Sequence, residues 1–329
     1  RKIMIIADAW RTVVVLMIPV VFYLGILNPA LLAVNAFCLA IAAAFFNPAR
    51  DSIIPQLVPK SSLVQANSLI QTSWQFALLL GPAAAGFLLT VFGKIHLFSI
   101  NAFFYLFSLI FILAVKPAPN PSSVRKKGVG WGEIKQGLKY VRGNKVLLPL
   151  ILITIADNLF IMGPAIVGTP VFVKEILHED AHIYALIHAC YAIGMLTGTS
   201  FLLMTGNRFG KGKILLIGMI LDGITFIPLY WADTVISTSL IIVIHSLAIP
   251  LLTVSRASII QDIVPQELTG RIFALINMSV VGMSAISAGL SGIVLEFISA
   301  QTLFLIIGIG GSICGIIGWI YAGELKAKS

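Results

Sequence analysis

The chain has 329 residues, 58% of them hydrophobic and only 11% charged, with a mean hydropathy of +1.01. Soluble domains run at roughly 45–50% apolar and about 25% charged, so an ordinary water-soluble domain is excluded and most of the chain belongs in lipid. The net charge of +9 is large enough to suit a nucleic-acid binder, but its placement argues otherwise, and no nucleic-acid partner is expected.

A membrane-crossing helix needs roughly 20 mostly apolar residues. Ten such spans are predicted, at 3–24, 30–47, 67–92, 95–115, 146–174, 183–204, 213–231, 235–255, 273–297 and 301–322. Short turns rich in Gly, Pro, Asn or charge separate most of them, as at Gly25-Ile26-Leu27-Asn28-Pro29. Arg1 and Lys2 run straight into the first span, and no small-residue cleavage site follows a short apolar region. A signal peptide is therefore not expected, and the chain reads as lacking the start of its protein. Cys38, Cys190 and Cys314 all fall inside apolar spans without CxxC spacing, which suits lipid- or core-facing thiols.

Lys and Arg in the loops set orientation. Alternating the ten spans puts Arg1, Lys2, Arg50, Lys60, Lys116, the 125–145 cluster, Arg208, Lys211, Lys213, Arg256, Arg271, Lys326 and Lys328 on one side. The other side holds only Lys94 and Lys174. The basic side is predicted to be the cytoplasm, with the central loop and the C-terminus there, in the inner membrane of a bacterial-type cell.

Shifted by 206 residues, the chain matches itself. Arg50-Asp51-Ser52-Ile53-Ile54 with Val58-Pro59 returns as Arg256-Ala257-Ser258-Ile259-Ile260 with Val264-Pro265. The last four spans pair with the first four at the same offset. The two spans within 146–204 have no partner, so the expected parent is twelve spans in two halves of six. Duplicated helical bundles are a common architecture of secondary transporters.

The predicted organisation is a remaining four-helix portion at 1–115, a cytoplasmic linker at 116–145 and a six-helix bundle at 146–329. Repeated Pro from Lys116 to Ser123 keeps the linker extended. Trp131, Ile134, Leu138 and Val141 then recur at helical spacing opposite Lys135, Lys139 and Arg142. That pattern predicts a short helix on the inner membrane surface, or else a solvated basic loop.

Asn207-Arg208-Phe209-Gly210-Lys211-Gly212-Lys213 resembles the Asp-Arg-x-Gly-Arg-Arg loop of the major facilitator superfamily. Asn47-Pro48-Ala49-Arg50, Gln65-Ala66-Asn67-Ser68-Leu69 and the run from Glu133 to Arg142 are similar to its branch of macrolide-efflux and enterobactin-export proteins. The resemblance covers essentially the whole chain. It implies an all-α integral membrane protein with the major facilitator fold, two pseudo-symmetric helical bundles with about ten of twelve helices present. It departs at Asn207, where the family has an acid, which puts a charge-based latch there in doubt. The resemblance also makes 67–92 the antiporter helix, with Gly81, Pro82 and Gly86 as its packing motif. Small residues let helices approach, and Pro frees a carbonyl and bends the helix.

Ionisable groups inside lipid are costly and mark function by default. Asp157 lies near the middle of its span, on a helix that the resemblance makes cavity-lining, and is a candidate for proton or substrate binding with Asn158. His245 is a second coupling candidate, because imidazole titrates near neutral pH. Asn35 completes the polar contacts of a mainly apolar cavity. Asp222 is equally deep but reads as structural, as do Asp8 and Arg11, which share one helix face at i, i+3. Arg50, Asp51, Arg256, Asp262, Asn207, Arg208 and Lys211 are gating candidates, with lipid snorkelling the plainer reading for the two repeated arginines.

His178-Glu179-Asp180-Ala181-His182 matches H-E-x-x-H literally, which on a helix can bind zinc. It falls in a short outer loop and only His188 is near enough in sequence to serve as third ligand, so a membrane zinc metalloprotease is the distant alternative and no metal is expected. No G-x-x-x-x-G-K-[ST] is present, so ATP does not drive transport. The expectation is a monomeric secondary transporter in the lipid bilayer, not an enzyme, without cofactor. It would exchange protons for a small-molecule substrate, an amphipathic macrolide-like compound, by alternating access. Export of a siderophore or flipping of a lysophospholipid is the alternative.

Overall fold

The structure, a computed structural model, describes residues 1–116, 131–205 and 208–327. All regular elements among these residues are helical. The extended linker after Lys116 and the gating candidate Asn207 lie outside the described residues.

Helix α1 (Lys2–Tyr23) ends at a tight turn in which Gly25 takes φ +74°. A side chain would be strained in that left-handed conformation. Three residues on, the Asn28 side chain accepts from the Leu31 amide at 2.9 Å and Pro29 occupies the first turn, so α2 (Pro29–Ile53) starts there. Helix α3 runs Leu63–Ala114 and is broken at Gly93, whose φ of 77° is not helical. The expected spans 67–92 and 95–115 are its two arms.

Further along come α4 (Trp131–Gly143), α5 (Leu147–Gly163) and α6 (Thr169–Glu175), the last two joined by a π-turn at Pro164–Gly168. Pro164 has no N–H to continue the ladder, which accounts for the break. Ser287 covers it, accepting from the Gly163 amide at 2.9 Å and donating to the Leu159 carbonyl at 2.6 Å. Helices α7 (Ala181–Thr205), α8 (Lys211–Ile224), α9 (Val235–Ser246), α10 (Ile249–Ile263), α11 (Gln266–Val294) and α12 (Ala300–Tyr321) follow, with the short α13 (Gly323–Lys326) at the end. The predicted span 235–255 is two helices, because Pro250 sits in the first turn of α10. Nine helices among the described residues are long and apolar enough to cross a membrane.

The chain divides into two units. One takes Arg1–Pro59, Leu80–Lys127 and Pro265–Ala274; the other takes Lys60–Leu79, Gly128–Val264 and Leu275–Ser329. In the first, Met4, Ile53 and Ile112 form a buried cluster with Phe46 and Val115 against it. Beside it, Arg11 reaches Asp8 at 3.1 Å and lies over the rings of Phe46 and Tyr105, while Ser108 donates to the other Asp8 oxygen at 2.7 Å. The i, i+3 pair expected to neutralise itself does so, with aromatic faces taking up the rest of the guanidinium.

In the second unit, one buried cluster draws Phe172, Ile187, Ile242 and Phe304 from four helices and Phe226 from the turn after α8. Small residues set the spacing of its helices. A Cβ on Gly194 would meet Ser246 and the Val243 carbonyl, so α7 and α9 touch backbone to backbone. A Cβ on Gly315 would lie 2.7 Å from the Ile220 amide nitrogen, which brings α12 equally close to α8. Helix α4 packs on α5 with Val141 buried; Leu138 is exposed, as are Lys135, Lys139 and Arg142. The side chains of Trp131 and Ile134 lie outside the described residues.

Candidate transport site

A buried polar cluster lies in the second unit, where α9 packs against α7 and α8. His245 is 1% exposed and Asp222 4%. The sequence spacing conceals the link between them: His245 Nε2 is 3.7 Å from Asp222 Oδ1, and Nδ1 is 2.9 Å from the Thr225 hydroxyl. Phe226 lies tilted against the imidazole with centroids 3.9 Å apart, and Tyr191 meets it edge-on at 5.7 Å. Asp157 is partly buried; its Oδ1 is shielded from water and makes no hydrogen bond among the described residues. It lies close enough to Asp222 and Arg256 to feel their charges. Asn158 turns away and donates to the Thr154 carbonyl at 2.8 Å. Asn35, in the first unit, donates to the Val14 carbonyl at 2.6 Å, tying α1 to α2.

A second cluster sits at the end of α10. Asp262 is held by two cations, Lys211 Nζ at 3.2 Å on one oxygen and Lys60 Nζ at 3.3 Å on the other. Lys60 also donates to the Asp262 carbonyl at 2.7 Å. Lys211 is 4% exposed, so its ammonium depends on that carboxylate. One turn away, Asn67 donates to Gln261 at 2.6 Å and to Ser258 at 3.0 Å. Arg50 pairs with the adjacent Asp51 at 2.8 Å. Arg208 is exposed beside the loop turn. Ser258 and Ser52 are repeat equivalents: Asn67 reaches Ser258, and in the first unit Gln266 donates to the Ser52 carbonyl at 2.8 Å.

Sequence reasoning missed Lys60 as a partner of Asp262 because a basic residue beside a span reads first as an orientation signal. It also missed the stripe Ser68, Thr72 and Gln75 on α3. Gln75 is fully buried, yet neither its amide oxygen nor its nitrogen is hydrogen-bonded among the described residues, and the same holds for both hydroxyls. The i, i+4, i+7 spacing of those polar residues inside an apolar helix was the available signal. Of the expected packing motif, Gly81 has open space where a Cβ would go; the side-chain surroundings of Pro82 and Gly86 lie outside the described residues.

The H-E-x-x-H segment does not form a helical zinc site. His178 takes φ 54° between α6 and α7, so His178 and His182 do not share a helix face. Glu179 Oε2 instead lies 3.8 Å from His182 Nε2. Among the described residues no three His, Cys, Asp or Glu side chains converge for a metal ion.

Nine helices among the described residues that are long and apolar enough to cross a membrane define a multi-pass membrane protein, and the fold is the major facilitator fold. The Escherichia coli fucose:proton symporter FucP superposes with a TM-score of 0.76 over 100% of this chain and 84% of its own, at 15% identity. The chain belongs to the transmembrane secretion effector family, whose model matches residues 1–323. It is 28% identical over 287 residues to the MFS-type transporter YvqJ of Bacillus subtilis, an alignment covering 84% of this chain and 66% of YvqJ. It is 23% identical to macrolide efflux protein A of Streptococcus pyogenes over 336 residues, 99% of this chain and 82% of that protein. The chain thus spans about two thirds of the length of YvqJ. The superfamily is one of transporters, not enzymes.

Proposed function

We propose that this chain is the greater part of a proton-coupled exporter of small amphipathic compounds, with macrolide-like molecules as the substrate class. The observation that carries the reading is a set of titratable groups inside an apolar helical unit, Asp222 and His245 buried and Asp157 partly buried, in a chain whose relatives include a macrolide efflux protein. Buried ionisable groups in membrane spans are retained where they move charge or bind substrate. The chain works by alternating access in a bacterial inner membrane. Polar contacts to the substrate come from Asp157, from Asn158 when it exchanges its backbone partner for substrate, and from Gln75, all in the second unit. Asp262, gripped by Lys60 and Lys211, holds the start of α3 against α10 and serves as the inner latch. It takes over the work of the loop acid that Asn207 replaces.

The test uses the protein in inverted membrane vesicles with an inside-acid pH gradient. Adding a macrolide is expected to release protons from the lumen in the wild type, and Asp157→Asn to abolish that release. Equal release in both proteins removes Asp157 from the coupling step; no release in the wild type removes proton-coupled macrolide export.

A further inference from the structure

The hydrogen bonds around His245 leave the site one proton short. The Thr225 hydroxyl has a single proton, and its 2.6 Å bond to the Leu221 carbonyl uses it. Toward His245 Nδ1, 2.9 Å away, that oxygen can only accept, so the neutral imidazole carries its proton on Nδ1. Nε2 is then a bare lone pair. It faces Asp222 Oδ1 at 3.7 Å, and that carboxylate is an acceptor too. Two acceptors confront each other in an apolar setting, with Phe226 against the imidazole ring. Among the described residues no hydrogen bond supplies a proton between Nε2 and Oδ1, and one proton would join them.

We infer that Asp222 and His245 form a one-proton binding site, entered along a column of three rings on α7, Tyr184, His188 and Tyr191. Those rings sit at i, i+4 and i+7, hence on one helix face. Consecutive centroids along the column are 4.5 Å apart for Tyr184–His188, 6.0 Å for His188–Tyr191 and 5.7 Å for Tyr191–His245. His188 is exposed in the first third of α7, and Tyr191 Oη is buried, close enough to Asp222 to feel its charge and within reach of the Thr169 side chain. A proton taken up by the His188 imidazole passes to the Tyr191 oxygen as the phenol gives up its own proton. The released proton goes on, directly or through one water, to the space between Nε2 and Oδ1. The sum is one proton bound and one buried negative charge cancelled, and every relay group returns to its starting form.

Other charged groups facing the site are few. Among the described residues, Asp157 on α5 acts on Asp222, Arg256 on α10 acts on Asp157, and Asp157 in turn acts on Cys314 on α12. The repeat shows that the fold does not require the pair. At 206 residues before Asp222 and His245 stand Leu16 and Leu39, so the same two helices form in the first half with apolar side chains. This inference rests on the proton-coupled reading only for what the bound proton drives; the site itself is testable apart from transport.

The first test is an infrared difference spectrum of the purified protein between acid and alkaline pH, which reports a carboxyl C=O band when a buried acid takes a proton. The expected result is a wild-type band lost in Asp222→Asn, and a total proton uptake lower by one proton in that variant. Because Asn can misfold there, the second variant is Asp222→Leu with His245→Leu, the pair the first half already uses. It should fold and likewise lack the band. A wild-type band unchanged in both variants overturns the site. If Tyr191→Phe takes up protons at the wild-type rate, the column is not the route. In vesicles, a band lost in Asp222→Asn alongside no macrolide-evoked proton release in the wild type leaves the site standing and defeats the export reading alone.

Discussion

Asp8 and Arg11 show how little a buried charge pair must contribute to the fold. Arg11 is held by one carboxylate oxygen and two aromatic faces, and Asp8 by Arg11 and Ser108. In the second copy of the repeat the equivalent residues are Ile214 and Ile217. Removing one partner strands the other as an unpaired buried charge, at a cost of about 3–5 kcal/mol, whereas replacing both by well-packed apolar groups is often neutral. Arg11→Ile is therefore expected to destabilise the protein strongly, and Asp8→Ile with Arg11→Ile to restore most of the loss. Detergent unfolding of the two variants checks this; a double mutant no better than the single one defeats it. Single ionisable residues were legible in the sequence because they interrupt apolar runs. Their partners were not, since Asp222 and His245 lie 23 positions apart on different helices.

Helices were the most legible scale. Apolar runs located α1 and α12 to within one residue at each end, because a span must satisfy all its backbone groups internally and so cannot be much shorter than the membrane. Breaks within runs were harder to see. Hydropathy does not register the π-turn at Pro164 or the gap between α9 and α10; they depend on a missing N–H and on who covers the freed carbonyl. At the end of α5, Ser287 stands in the ladder between the Gly163 amide and the Leu159 carbonyl. Ser287→Ala leaves the buried Gly163 amide unsatisfied and should cost about 1–3 kcal/mol. Gly315→Ala is expected to cost a similar amount, about 1–3 kcal/mol, for a different reason: its Cβ meets the backbone of Ile220, which cannot rotate away. The two costs should add, since Ser287 and Gly315 pack against different helices. A combined loss equal to either one alone contradicts this assignment.

At the scale of the whole molecule, the repeat and the distribution of charge say most. The repeat ties α1 and α2 to α8 through α10 and leaves α5 through α7 without partners among residues 1–329. Alternation of the spans predicts that most loop arginines and lysines lie on one side. Positive side chains stay on the face from which the chain is inserted because moving them across lipid is costly. Arg208, in the turn before α8, should then face the cytoplasm, while His178, between α6 and α7, faces outward; both are exposed. With Cys38, Cys190 and Cys314 replaced by Ser, Arg208→Cys and His178→Cys each present one thiol at the surface. A membrane-impermeant maleimide added to intact cells should label the His178→Cys thiol and spare the Arg208→Cys thiol, and inverted vesicles should reverse the pattern. Labelling of the Arg208→Cys thiol from outside would invert the topology. The relay column would then open to the cytoplasm, and the Asp262 latch would close the outer face.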